Sequence, residues 1–546
     1  MAVLPPNVSQ ATFDDALRRF REVVGEEWVF SSDEDVDLYR DSYSPSWGEP
    51  GERMPSGAVA PIEVEQVQRI VRIANEFRVP LYPISTGKNL TYGGSAPNMS
   101  GTLVLDLKRM NRVLEVDERR AFALVEPGVS YFDLYNYIQE RGLKLWIDCP
   151  DPGWGSVVGN SLDRGLGYTT WFFRDHFGAH CGMEVVLPNG ELMRTGMGAV
   201  PGSRSWQDYR YGFGPWVDGL FSQGNFGVVT KMGCWLLPEP DAYLSGIVSV
   251  PRRRDLIPLV DVVNYLENSS CIGQPRYRSP LGAARNEPPL RDLLARNPFP
   301  DDAELDRVAE EMGVPSWACQ LQFYGGTEVV QAMWRQARQK LAEAIPGATF
   351  EDEKYYEMPM TGEQIANERK VAFGVPNLAI FSIGARSEQN PIPVDGHLDF
   401  TCVIPKTGED FLNASRVFFD AMQGTEVLNT NGQFPFSPFL VPSTWHARNF
   451  IIIVGLPTYR TNTEANQRTR AWMSQLIEVA SANGWSEYRA SPTFQDQVMA
   501  AYSFNDHVLR NFLETLKDAA DPNGIISPGR GGVWPGPYRS NRMTPV

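Results

Sequence analysis

Apolar residues recur at helical spacing between positions 63 and 77. Val64, Val67, Ile70, Val71, Ala74 and Phe77 would form one face, which predicts an amphipathic helix there. A shorter helix of the same kind is expected over 12–25. A brief apolar run, Val79-Pro80-Leu81-Tyr82, then reads as the end of a strand. Strand-like runs follow at 102–107, 113–116 and 121–125, then a helix over 131–141 and a short strand at 144–147. Residues 183–187 and 192–195 read as a hairpin across Pro188-Asn189-Gly190, because Asn-Gly suits a tight hairpin turn. Strands mixed with helices suggest an α/β or α+β arrangement rather than an all-β one.

The texture changes after Pro238-Glu239-Pro240, a proline pair that predicts a first domain boundary. Beyond it, strand-like runs at 243–250, 318–324, 400–404 and 450–456 alternate with helices over 327–341, 409–422 and 463–481. Thr407 and Asp410 have the spacing of a helix-opening capping box. This alternation predicts one sheet with helices on a face. Residues 429–449 form a long Pro/Phe-rich connection, expected to be a functional loop or an interface element.

Composition narrows the function classes. The 546 residues allow roughly two to four domains. A hydrophobic content of 42% argues for a packed core rather than disorder, and a net charge of −16 argues against a nucleic-acid partner. No stretch approaches the roughly 20 apolar residues needed to cross a membrane, and the start of the chain does not resemble a signal peptide. The cysteines at 149, 181, 234, 271, 319 and 402 form no CxxC pair, so they read as reduced core thiols of a cytoplasmic protein.

Candidate chemistry concentrates in two glycine-rich stretches. The first is Pro83-Ile84-Ser85-Thr86-Gly87-Lys88-Asn89-Leu90-Thr91-Tyr92-Gly93-Gly94. Glycines and small hydroxyl residues let backbone N–H groups approach an anion such as a pyrophosphate. An ordinary glycine-rich turn fits the same residues. The stretch is not a P-loop, since Asn89 follows Lys88. The second runs from Asp148 to Tyr168 and contains Gly155, Gly159, Gly165 and Gly167, without the spacing of a dinucleotide fingerprint. Asp151, between prolines, is either a general base or a turn former. Tyr488-Arg489 pairs a phenol with a guanidinium, which suits an anion as well as a surface salt bridge. His176 and His180 have helical metal-pair spacing, but Gly178 lies between them and no third ligand is evident. Structural or cofactor-proximal roles are expected for them, and no metal site. His397, at the start of a strand, reads by default as a structural histidine.

Together these segments resemble the phenol-oxidising branch of the vanillyl-alcohol oxidase flavoprotein family, over about 59–535. The resemblance is carried by 83–97, by Pro150-Asp151 with Gly155-Ser156-Val157-Val158-Gly159-Asn160, and by Gly182-Met183-Glu184-Val185-Val186-Leu187. Tyr211-Gly212-Phe213-Gly214-Pro215, Phe221-Ser222-Gln223, Gly484-Trp485-Ser486-Glu487-Tyr488-Arg489 and Asp521-Pro522-Asn523-Gly524-Ile525-Ile526 extend it. It implies an α+β, two-domain flavoprotein. A p-cresol-methylhydroxylase-type FAD-binding domain would comprise 1–240 and a returning segment, 488–546. An α/β cap domain carrying an antiparallel sheet would comprise 241–487.

The resemblance also implies roles. Pro83, Ser85, Thr86, Gly87, Lys88 and Asn89 would wrap the FAD pyrophosphate, with Ser156, Gly159, Asn160, Val228 and Arg530 as further cofactor contacts. His397 falls where oxidases of this branch attach FAD covalently; the dehydrogenase branch uses a tyrosine elsewhere, so His397 argues for an oxidase. Tyr92, Tyr488 and Arg489 match the trio that holds the substrate as a phenolate, and Asp151 the acid near the reactive flavin nitrogen. The implied partners are a small phenol and O2, in a homodimer or higher homo-oligomer. The alternative is a dehydrogenase that passes electrons to a cytochrome. Two departures stand out. The N-terminal histidine that promotes flavin attachment in a fungal member has no counterpart, because no histidine precedes His176. Asp399 stands where relatives often carry an apolar or small residue.

Overall fold

The structure is a computed structural model and describes residues 3–269, 272–296, 300–379, 395–422 and 439–543. Its first sheet contains Val29–Phe30 (β1), Ala58–Val59 (β2), Leu81–Ile84 (β3) and Leu103–Asp106 (β4), in the order β1-β2-β4-β3. β2, β4 and β3 run parallel, and β4 is buried along its whole length. A parallel strand covered on both faces needs such an unbroken apolar run. The helix Val64–Phe77 packs on this sheet through Val67, Ile70, Val71 and Ala74, the face expected from its spacing.

Val113–Asp117 (β5) and Phe122–Val125 (β6) begin a second sheet. Leu145–Trp146 (β7) stands apart from it, while His180–Val186 (β8), Leu192–Arg194 (β9) and Val228–Trp235 (β10) complete it. This sheet is antiparallel, in the order β5-β6-β10-β8-β9. β8 and β9 are the expected hairpin. β7 pairs instead with Leu237–Pro238 (β11).

The C-terminal segment returns to the first sheet. Leu81 donates its N–H to the Ile525 carbonyl at 2.6 Å, and Ser527 donates to the Leu81 carbonyl at 2.8 Å. Ile525 and Ile526 are fully buried in the core shared by β3 and β4. Each such side chain contributes roughly 1.5–3 kcal/mol of burial, so the tail is anchored by packing as well as by hydrogen bonds.

The middle of the chain holds two sheets among the described residues, not the single sheet expected. Ala242–Val250 (β12), Arg276–Arg278 (β13), Trp317–Gly325 (β14) and Thr349–Glu357 (β15) pair in the order β13-β14-β12-β15. Gly396–Pro405 (β16), Asn449–Thr458 (β17) and Ser486–Glu487 (β18) pair in the order β17-β16-β18. Alternating strands and helices imply layers, but they do not say which strands are neighbours. One core spans both sheets and includes Trp317, Phe323, Phe400, Phe418 and Phe450. The helix Gly408–Met422 opens as expected, with the Asp410 N–H donating to the Thr407 hydroxyl at 3.0 Å. Residues 429–438 of the 429–449 connection lie outside the described residues.

The strand β16 positions the site by its period of two. Leu398, Phe400 and Cys402 point into the core, so His397, Asp399 and Thr401 point the other way, toward the first half of the chain.

Candidate active site

Both glycine-rich stretches border one cavity of about 740 Å³. The first leaves the end of β3. Gly87 there has φ +67°, and a Cβ on it would lie 2.3 Å from the Ser95 hydroxyl. The second opens the short helix Val157–Leu162. Ser156 caps that helix: its hydroxyl accepts the Gly159 N–H at 2.9 Å and donates to the Pro127 carbonyl at 2.6 Å. The two stretches touch, since a Cβ on Gly159 would sit 2.0 Å from the Ser85 hydroxyl.

The cavity wall includes Pro83, Ser85, Thr86, Gly87, Lys88 and Asn89 from the first stretch and Ser156, Gly159 and Asn160 from the second. Arg530 from the returning tail completes this side. Val228 does not line the cavity: its side chain is buried beneath the sheets, and its neighbours Gly227 and Val229 face the space. The Asn160 amide is held by the Tyr131 hydroxyl at 3.0 Å and by His176.

Tyr92, Arg489, Asp151 and His397 meet at the same cavity. β18 brings Arg489 there by pairing with Cys402 and Val403. The Thr401 hydroxyl then donates to the Arg489 carbonyl at 3.1 Å. The Arg489 guanidinium carbon lies 4.1 Å from the centre of the Tyr92 ring and 5.1 Å from that of Tyr488. Burial opposes the Arg489 charge, but Tyr488, Tyr92 and Asp163 outweigh it and raise its pKa. Burial raises both phenols, Tyr92 the more, against the pull of Arg489. They therefore remain protonated donors beside a permanent cation. Tyr488 does not line the cavity directly. Its hydroxyl and the Arg489 Nε are buried without a hydrogen-bond partner of good geometry.

Asp151 accepts the Tyr168 hydroxyl and lies 3.9 Å from Arg369. Arg369 in turn covers the Tyr168 ring at 4.0 Å. His397 is half exposed to the cavity, with Nε2 3.7 Å from Asp399 and its ring 5.4 Å from that of Tyr43. Asp399 thus faces the cavity beside the histidine.

Several residues escaped sequence reasoning. Asp163 pairs with Arg530 at 2.8 Å, accepts from Asn89 at 2.7 Å and lies 3.7 Å from Arg489. Trp445 lines the cavity, and His446 meets the Tyr488 ring edge-on at 6.0 Å. Arg174 donates to the Trp445 carbonyl at 2.6 Å and Lys406 to the Ala447 carbonyl at 3.0 Å. Both cations are paired with the fully buried Glu267. The one available signal was the Pro/Phe-rich connection that contains Trp445. His176 and His180 bond Asp148 at 2.9 Å and Asp218 at 3.1 Å, and His176 also contacts the Asn160 amide on the cavity wall. No cluster able to hold a metal occurs among the described residues.

The lining fits a flavin dinucleotide: a long wall of glycines and small hydroxyl residues with Lys88 and Arg530, ending at Tyr92 and Arg489 with Tyr488 behind. This is the constellation of a flavin-linked oxidoreductase, and an FAD binding domain family matches residues 55–196. The chain is 33% identical over 535 residues to the 4-cresol dehydrogenase [hydroxylating] flavoprotein subunit of Pseudomonas putida, covering 97% of this chain and 98% of that one. The solved 4-ethylphenol oxidase from Gulosibacter chungangensis superposes with a TM-score of 0.80 at 32% identity, covering 98% and 100%. Solved p-cresol methylhydroxylase gives 0.79 at 31%, covering 98% and 99%. The chain belongs to the vanillyl-alcohol oxidase flavoprotein family, in the branch that holds these phenol-oxidising enzymes. It is a flavin-dependent oxidoreductase with a two-domain p-cresol-methylhydroxylase-type fold.

Proposed function

We propose that the protein is a covalent-FAD oxidase of para-substituted phenols: 4-alkylphenols, 4-allylphenols or 4-hydroxybenzyl alcohols. Residues 1–240 with 488–546 would hold FAD, and 241–487 would cap the substrate. The observation that carries this reading is the Arg489 guanidinium on the cavity wall, stacked on Tyr92 and backed by the buried Tyr488, in a cavity that also holds Asp151 and His397. A buried cation flanked by phenolic donors stabilises an oxyanion far more than water does. A 4-alkylphenol bound there ionises, and its ring pushes electron density toward the para carbon.

Bound FAD supplies the hydride acceptor. Arg489, Tyr92 and Tyr488 hold the phenolate oxygen while the benzylic carbon loses hydride, which leaves the substrate as a p-quinone methide. Asp151 accepts a proton from water as it adds to that carbon, giving the alcohol. Loss of a further proton gives an alkene or carbonyl product instead. Ser85 to Asn89 and Arg530 would hold the pyrophosphate and ring of FAD, and His397 would form the covalent bond. Its exposure to the cavity supports that assignment.

O2 as final acceptor, with release of H2O2, is supported by His397 and by similarity to a 4-ethylphenol oxidase. The 33% identity to a 4-cresol dehydrogenase supports a second reading, electron transfer to a cytochrome. No helix among the described residues is long and apolar enough to cross a membrane. The described cysteines are buried free thiols, which supports a reducing, cytoplasmic setting. The decisive experiment is anaerobic mixing with 4-alkylphenols, followed by air. Bleaching and fast recovery with H2O2 formation support the oxidase. Bleaching with slow recovery supports the dehydrogenase. No bleaching overturns both.

A further inference from the structure

We infer that Asp163 is a positioning residue that sets the charge shared by the phenol clamp and the cofactor wall, so that one carboxylate tunes both phenol ionisation and flavin redox poise. The inference rests on the phenol-oxidation reading. Asp163 stands at the end of the helix Val157–Leu162, with its side chain only 11% exposed. One oxygen takes Arg530 at 2.8 Å. The other takes the Asn89 amide at 2.7 Å and lies 3.7 Å from Arg489.

Arg530 is fixed on all sides. Its Nε donates to the Gln223 carbonyl at 3.1 Å and its Nη1 to the Tyr82 hydroxyl at 3.2 Å. Arg489 and Arg530 are close enough to repel each other, and Asp163 stands between them. The other titratable groups facing this trio are the phenols of Tyr82, Tyr92 and Tyr488, the His446 imidazole on the Arg489 side and, further out, Asp41 and Asp399. Two buried cations share one carboxylate, so the trio carries a single net positive charge. Without the carboxylate, the wall carries an additional positive charge. At low dielectric that favours every anion nearby, whether a phenolate or a reduced flavin.

The test compares full-length, FAD-loaded wild type with Asp163→Asn. The probe is 4-bromophenol, which has no benzylic hydrogen to lose. The expected result is a higher flavin midpoint potential together with a phenol ionisation displaced about one pH unit toward acid, equivalent to about tenfold tighter binding above it. Asp163→Glu, which keeps the charge, should return both toward wild type. Unchanged values, or weaker binding with an unchanged or lower potential, overturn the inference, because a purely structural residue behaves that way. Asp163→Ser carries the same readouts if the asparagine variant does not fold. A wild type without flavin or phenol binding overturns the functional reading. A competent wild type beside a silent variant overturns only the role of Asp163.

Discussion

The Arg489 guanidinium carbon lies 4.1 Å above the centre of the Tyr92 ring. Stacking on an aromatic face helps to hold the charge of the cation, and the Asp163 carboxylate stays 3.7 Å away, so the guanidinium remains available to a substrate. The other flank, Tyr488, points a buried hydroxyl at no partner of good geometry.

This separates stability from function at Tyr488. Removing a hydroxyl whose only interaction, with Arg489, lacks good hydrogen-bond geometry costs little stability. Tyr488→Phe is expected to melt at or above the wild-type temperature in a calorimetric scan. Its affinity for a para-substituted phenol should fall about tenfold, the loss of one hydrogen bond to a charged acceptor. A destabilised variant with normal affinity would contradict the assignment.

Arg489→Lys keeps the charge but loses the planar fork and its stacking. The oxyanion then sits on a single mobile ammonium. A fall of about 10²–10³ in kcat is expected in steady-state turnover of a 4-alkylphenol, with flavin content unchanged because Arg530, not Arg489, closes the cofactor wall.

His397 is half exposed and makes no close bond, so His397→Ala should fold normally. The denatured wild-type protein should carry the mass of FAD. The alanine variant should lose that mass and release free flavin on acid precipitation. Flavin that stays bound to denatured His397→Ala would place the attachment elsewhere.

Legibility followed locality. The helix over 64–77 and the loops over 83–94 and 155–160 declare themselves through spacing and glycine content, since their conformations depend on near neighbours. Asp163 gave no signal, because its partner Arg530 lies 367 positions away. Arg174, Glu267 and Lys406 are equally ordinary in sequence, and their triad exists only once the two halves of the chain dock. The same gap produced the one-sheet expectation. β16 pairs with β17 across the helix that separates them, and no residue pattern within either strand names its partner.

Glu487 offers a pH test of the strand that carries Tyr488 and Arg489. Its carboxyl accepts the Thr401 N–H at 3.1 Å, and its other oxygen has no partner. Burial, helped by Asp399, pushes its pKa up from 4.5 to about 8, although the Thr401 N–H pulls the other way. Cys402 is its partner across the strand pair. The native state therefore holds a proton that the unfolded chain releases near pH 4.5. Between that value and about 8 the native state binds more protons, so this group's contribution to stability declines as pH rises. Above about 8 the native carboxyl must ionise while buried, and the full penalty is present. Glu487→Gln mimics the protonated form and removes this dependence. Denaturant titrations at pH 5, 7 and 9 should show wild type losing stability relative to Glu487→Gln at each step, with the largest gap at pH 9. Parallel pH profiles for the two proteins would mean that Glu487 is ionised throughout and that water or a cation reaches it.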